Sequence, residues 1–155
     1  APGTRPIGKK MKTSSVSLPE IYLCNRQRKI AFDRGALEKF ARWALPFCAA
    51  ERGPGLTNLE EVNVLLVSDR RISQLHQRFM QIPGPTDVIT FQHGEIFISV
   101  ETAKRQARTH HTSLLHELRL YLVHGLLHLR GFDDRDPADR LHMHTVQERI
   151  LTAAK

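Results

Sequence analysis

Leu114-Leu115-His116-Glu117-Leu118-Arg119-Leu120-Tyr121-Leu122-Val123-His124-Gly125-Leu126-Leu127-His128-Leu129-Arg130-Gly131-Phe132-Asp133-Asp134 is the stretch against which the rest of the chain is read. At 3.6 residues per turn His124 and His128 fall one turn apart on one helix face, and Glu117 and Tyr121 extend that stripe toward the N-terminus. Leu114, Leu115, Leu118, Leu122, Leu126 and Leu129 make the helix apolar nearly all round, which predicts a buried helix whose histidines need partners. Imidazoles at i and i+4 can both turn a ring nitrogen toward one cation, as in helical zinc sites. Gly131 is placed to end the helix in a left-handed conformation and swing the chain back toward the histidines, which makes Asp134 the expected third ligand. Gly125 stands where H-E-x-x-H peptidases carry their glutamate base, which argues against that mechanism.

Upstream, Glu20-Ile21-Tyr22-Leu23-Cys24 reads as a first strand, and Asp33 as the cap of a helix reaching about Cys48, with Pro46 expected to bend or end it. Leu37, Phe40 and Trp43 are spaced for that helix's buried face. Past the turn-forming Arg52-Gly53-Pro54-Gly55, residues 62–67 read as a buried strand, and Ser68 caps a helix over 69–79. The loop 81–85 delivers Thr86 and Asp87 to a strand through Gln92, a His93-Gly94 turn and a return strand over 95–100: a hairpin whose edge is suited to an extended substrate. A helix over 101–109 precedes the histidine helix. Asp136 and Pro137 then start a final amphipathic helix through Leu151. His110, His111 and His116 precede the motif and are not expected to ligate; Asp133, His142 or His144 is the substitute should Asp134 not be a ligand.

Four strands and about five helices, ordered β-α-β-α-β-β-α-α-α, predict an α+β domain with a small four-stranded mixed sheet and the metal site on a central buried helix. One domain is expected over 19–155, behind a basic, Pro/Gly/Ser-containing segment over 1–18 expected to be disordered. No stretch reaches membrane-spanning length and no charged-then-apolar leader opens the chain, so a cytoplasmic protein is expected. Cys24 and Cys48 form no C-x-x-C pair, excluding a thiolate zinc site of that type, and both are expected to be buried. The 23 Lys and Arg against 16 Asp and Glu leave +7, with a pI near 9.9, a balance that attracts polyanions such as nucleic acid.

His124-Gly125-Leu126-Leu127-His128-Leu129-Arg130-Gly131-Phe132-Asp133-Asp134 resembles the H-G-x-L-H-L-x-G-Y-D-H signature of the YbeY family of bacterial rRNA-maturation endoribonucleases. Pro85-Thr86-Asp87-Val88-Ile89-Thr90-Phe91 resembles that family's P-T-D-V-L-S-F strand, and Glu117, seven residues before the first histidine, also fits its pattern. The likeness runs from about residue 20 to the C-terminus. It implies a zinc-dependent, single-strand-specific endoribonuclease of rRNA maturation and ribosome quality control. The implied partners are precursor rRNA and the small ribosomal subunit, with one Zn2+ and no nucleotide cofactor. Two departures stand out: the third metal histidine of the family falls on Asp134, and an arginine six residues before the threonine of P-T-D-V falls on Met80.

On this reading His124, His128 and Asp134 hold the metal, a water on it is the expected nucleophile, and Glu117 is the candidate supporting residue. Hydrolysis and attack by the neighbouring 2′-hydroxyl both remain open. Arg70, Arg71, Arg78, Thr86, Lys104, Arg105, Arg108 and Arg130 are the candidate RNA contacts. The alternatives are an RNA- or ribosome-binding factor of the same fold with weakened catalysis, because methionine at position 80 cannot clamp a phosphate, and a metallohydrolase with a substrate other than RNA.

Overall fold

Among the described residues nine elements follow one another: β1 (Glu20–Asn25), α1 (Arg34–Ala49), β2 (Glu61–Val67), α2 (Asp69–Met80), β3 (Val88–Phe91), β4 (Glu95–Ser99), α3 (Val100–His110), α4 (Leu114–Arg130) and α5 (Pro137–Ala153). The structure is a computed structural model and describes residues 17–154. The expectation for residues 1–18 therefore falls almost wholly outside the described residues. The α+β order is the expected one. The sheet is mixed, in the order β1-β2-β4-β3, parallel between β1 and β2 and between β2 and β4, and antiparallel within the β3–β4 hairpin.

Each helix begins on a side chain that accepts from one of its otherwise unpaired amides: Asp33 from Ala36, Ser68 from Arg71, Ser99 from Thr102, Ser113 from His116 and Asp136 from Asp139. Such a cap contributes about 1 kcal/mol. Of the two effects expected of Pro46, ending the helix is not seen: α1 runs on to Ala49, close to the expected end at about Cys48. The proline sits in the last turn, where its missing N–H removes one bond, and the burial of Cys48 and Ala49 carries the helix past it. Cys48 is buried as expected, its thiol pushed up to about 12 by burial and then by Glu51. Cys24 is only half-buried, because β1 is an edge strand, and its Sγ accepts from Arg26 Nε at 3.3 Å.

Alternation along the strands sends two sets of side chains to opposite faces. Val64, Leu66, Ile96 and Ile98 join α1, α4 and α5 in the main core, while Leu65, Val67, Ile89 and Phe97 meet Ile72 and Leu75 of α2 in a smaller one. Helix α4 lies at the centre of the first, packing against α1, α3, α5, β3 and β4. Leu118, Leu122, Leu126 and Leu127 of α4 are completely buried, each burial worth about 1.5–3 kcal/mol. Gly125 is the point of closest approach to the sheet. A Cβ there would stand 2.6 Å from Ile96 Cγ2, so packing excludes the glutamate that a peptidase would carry.

Candidate metal centre

The C-terminal half of α4 and the turn after it bring three donor atoms together. His124 Nε2 and His128 Nε2 are 3.0 Å apart, and Asp134 Oδ2 lies 3.6 and 3.4 Å from them. Among the described residues this is the group of three His, Cys, Asp or Glu side chains whose donor atoms converge closely enough for one ion. Bonds of about 2.0–2.2 Å at tetrahedral angles would put donor atoms about 3.3–3.6 Å apart, close to the triangle observed.

The partners of the histidines decide what those nitrogens are. His128 Nδ1 lies 3.0 Å from the Phe132 carbonyl, which can only accept, so Nδ1 carries the proton and Nε2 a lone pair. His124 Nδ1 donates in the same way to Gln147 Oε1 at 2.8 Å. Burial, and then the neighbouring His128 ring, hold the His124 imidazole below its ordinary range despite the opposing pull of Gln147, Asp87 and Asp134. Two lone pairs and a carboxylate oxygen thus face one another with no hydrogen between them. A cation resolves that repulsion, and the donor set fits a borderline ion such as Zn2+.

The chain after α4 supplies the reach that a short aspartate needs. Gly131 takes φ +122°, and a Cβ there would also stand 2.7 Å from Pro54 Cδ. Its amide and that of Phe132 return to the carbonyls of Leu127 and His128, folding the next residues back over the histidines. Asp133 is taken by Arg135, whose Nη2 donates to Oδ2 at 2.7 Å, which leaves Asp134 facing the rings. The loop before β2 braces the same helix end. Arg130 donates to the carbonyls of Glu51 and Gly55 and to Thr57 Oγ1, and Gly55 N donates to the Arg130 carbonyl.

Glu117 and Tyr121 lie on the stripe as read from the sequence, both buried. Thr112 Oγ1 donates to Glu117 Oε2 at 2.7 Å, and His110 Nδ1 stands 3.6 Å from Glu117 Oε1, which, like the Tyr121 hydroxyl and Thr90 Oγ1, is buried without a hydrogen-bond partner among the described residues. Burial first, then Asp87 and Glu117, raise the Tyr121 phenol above its ordinary range. His142 stacks on Phe132, their centroids 5.4 Å apart, and neither it nor His144 joins the donor group.

The candidate RNA contacts scatter. Arg70, Lys104 and Arg108 are exposed, and half-buried Thr86 donates to Asp87 Oδ1 at 3.4 Å. Arg105 pairs with Asp69 at 2.6 Å and binds Thr102, tying α3 to α2, and Arg130 is engaged in the loop contacts above. Arg71 and Arg78 line a cleft on the α2 face of the sheet. Met80 is exposed at the end of α2. Sequence reasoning missed Gln147 and Gln92. Gln147 is a buried polar residue among Met143, Val146 and Ile150, a break in an apolar stripe that could have flagged it. Gln92 Nε2 donates to the His128 carbonyl at 3.2 Å, a long-range contact with no local signal.

Comparison with known proteins gives the family. The family described as Endoribonuclease YbeY matches residues 22–155. A Leifsonia xyli protein named Endoribonuclease YbeY is 31% identical over 144 residues, covering 82% of this chain and 90% of that relative. One of the same name from Gluconobacter oxydans is 34% identical over 120 residues, covering 74% and 71%, and one from Saccharopolyspora erythraea is 36% identical over 115 residues, covering 62% and 63%. The solution structure of TM1509 from Thermotoga maritima superposes with a TM-score of 0.57 at 25% identity, covering 84% of this chain and 86% of that one. With the family matched from β1 to the end of the chain, this protein belongs to the Endoribonuclease YbeY family.

Proposed function

We propose that this chain is a zinc-dependent endoribonuclease that cuts single-stranded RNA in rRNA maturation and ribosome quality control, with the small ribosomal subunit and its precursor RNA as partners. The observation that carries the reading is the convergence of His124, His128 and Asp134 donor atoms on a helix that packs against edge strand β3. Membership of a family described as an endoribonuclease supplies the substrate class.

His124, His128 and Asp134 would hold the ion, which when bound acts as a Lewis acid on a phosphate oxygen or lowers the pKa of water. The residues of the chain do the rest. Gln147 and the Phe132 carbonyl keep both imidazoles in the tautomer that offers Nε2. The Gly131 turn and the Arg130 contacts hold Asp134 over the rings. Edge strand β3, with one side unpaired within the sheet, is suited to lay an extended RNA backbone along the site, and the basic balance of the chain favours a polyanion.

Met80 favours a second reading, a factor that binds RNA but cuts it poorly, since a thioether cannot clamp a phosphate. Incubation of the purified protein with single- and double-stranded RNA of one sequence, with and without chelator, tests both. The endoribonuclease reading expects chelator-sensitive cuts in the single strand. Binding with no cuts by wild type, and cuts by Met80→Arg, favours the weakened factor; cuts that survive chelation contradict the metal assignment.

A further inference from the structure

The sheet face opposite the metal donors carries a feature that the reading above does not use. Between α2 and the β3–β4 hairpin lies a cleft of about 520 Å³ whose walls include Arg71, Arg78, Phe79, Phe91, His93 and Phe97. The rings form one continuous cluster. Phe91 meets Phe79 edge-on at 5.1 Å and Phe97 edge-on at 5.8 Å, and lies nearly parallel to His93 at 6.0 Å. Phe97 belongs to the small core, but Phe79 is 52% exposed, so ring surface is left open to solvent.

Charge at the cleft has one sign to spare. Arg78 sits over the Phe79 ring at 5.4 Å, and the Arg71 guanidinium donates to Gln74 alone among the described residues. Neither arginine is in an ion pair among the described residues. The carboxylate that lines the cleft, Glu95, is engaged by His93 Nε2 at 2.8 Å and does not cancel them. Open aromatic faces beside uncompensated guanidinium groups suit a ligand that alternates flat π surfaces with anions, as an unpaired nucleic acid strand does.

The cleft is also one strand away from the donor triangle. Strand β3 is the sheet edge, and Gln92 at the hairpin tip reaches across to the His128 carbonyl at 3.2 Å. We propose that this cleft is a second RNA subsite, in which unpaired bases flanking the scissile bond stack on Phe79, Phe91 and His93 while Arg71 and Arg78 hold the intervening phosphates. The RNA then passes round the edge of β3 to the metal face. The proposal rests on the endoribonuclease reading for its ligand, and a basic protein is disfavoured there because it would meet the two free arginines.

The test measures binding of labelled oligouridines, from about 4 to about 16 nucleotides long, to the full chain in chelator by fluorescence anisotropy, so that cleavage plays no part. Wild type should gain affinity as the RNA lengthens. Phe79→Ala, and separately the pair Arg71→Ala with Arg78→Ala, should lose about tenfold or more on the longest RNA. Phe79→Trp should restore the loss and Phe79→Leu should not. Photo-crosslinking of 4-thiouridine RNA should label peptides carrying Phe79, Phe91 or His93. The proposal is overturned if the alanine variants bind the longest RNA like wild type, if leucine rescues as well as tryptophan, or if an acidic peptide, but not RNA, loses affinity on the arginine changes. Binding that depends on Phe79 in a protein that cuts no RNA would overturn the endoribonuclease reading alone; normal cutting with no dependence on Phe79 would overturn the cleft alone.

Discussion

The two faces of the sheet handle polar groups in opposite ways. On the α4 face the proposed metal donors are partly buried, and their other atoms are fixed: Nδ1 of His124 by Gln147, Nδ1 of His128 by the Phe132 carbonyl, Asp134 by a glycine turn held against Pro54. On the α2 face Arg71, Arg78 and Phe79 stand in solvent with few partners. Chemistry at a metal needs donor atoms held to a fraction of an ångström, which only a packed interior supplies. A surface that holds flexible RNA needs rings and charges, and can leave them free to adapt. The first face should therefore be sensitive in stability and metal affinity, the second in RNA affinity alone.

The largest separation is expected from His128→Ala, which removes a donor atom. Metal affinity, read by competition with a chromophoric chelator, should fall by more than about 100-fold, with RNA affinity in chelator nearly unchanged. If RNA affinity falls equally, the faces are not independent. Stability comes next. Leu126→Ala in the main core should cost about 2–5 kcal/mol in urea unfolding, and Phe79→Leu on the cleft within about 0.5 kcal/mol. Comparable costs would show that the cleft is part of the core.

Gln147→Leu sharpens the comparison on the metal side. It keeps the buried volume but leaves His124 Nδ1 without an acceptor, and should weaken metal binding about 10- to 100-fold while the fold persists. Unchanged affinity would mean that Gln147 does not orient the ring.

The smallest effect concerns Asp69, which joins α2 to α3. Burial alone would raise its pKa, but hydrogen bonds from Arg105, Ser99 and Thr102 outweigh that and hold the carboxyl below its usual range. The folded value lies below the unfolded one, so this contribution is complete above about pH 4 and is lost as pH falls through the folded value. Asp69→Asn should therefore flatten the decline of melting temperature below about pH 4. An unchanged acid slope would show the network to be of no consequence for stability.

What the sequence disclosed follows from how local each signal is. His124 and His128 share a face by helix period, Gly131 announces its turn, and Asp33, Ser68 and Asp136 sit ahead of their helices, so the helices, the mixed four-stranded sheet and the grouping of His124, His128 and Asp134 were legible, while the strand order was not. Pro46 does not end α1, because a proline in a last turn loses little and the burial of Cys48 and Ala49 outweighs it. Arg130 and Arg105 read as candidate RNA contacts, and no local signal in the sequence marks the acceptors that engage them at Gly55, Thr57 and Asp69, far along the chain. Gln147 and Gln92 acquire meaning only when α5 and the hairpin pack against α4. The cleft was invisible for the same reason: Phe79 and Phe91 become neighbours only once α2 covers the far face of the sheet.

The central claim is that Asp134 completes the donor set in place of a third imidazole. Its oxygen lies 3.6 and 3.4 Å from the two nitrogens, so the turn has made the approach that a shorter side chain requires. A carboxylate also leaves the bound ion with about one unit less net charge than three neutral histidines would, making it a weaker Lewis acid. The direct measurement is the Zn2+ affinity of wild type, Asp134→Ala and Asp134→His by competitive chelation. This account predicts that Asp134→Ala binds at least about tenfold more weakly than wild type and that Asp134→His retains binding. An Asp134→Ala protein that binds Zn2+ as tightly as wild type would contradict it.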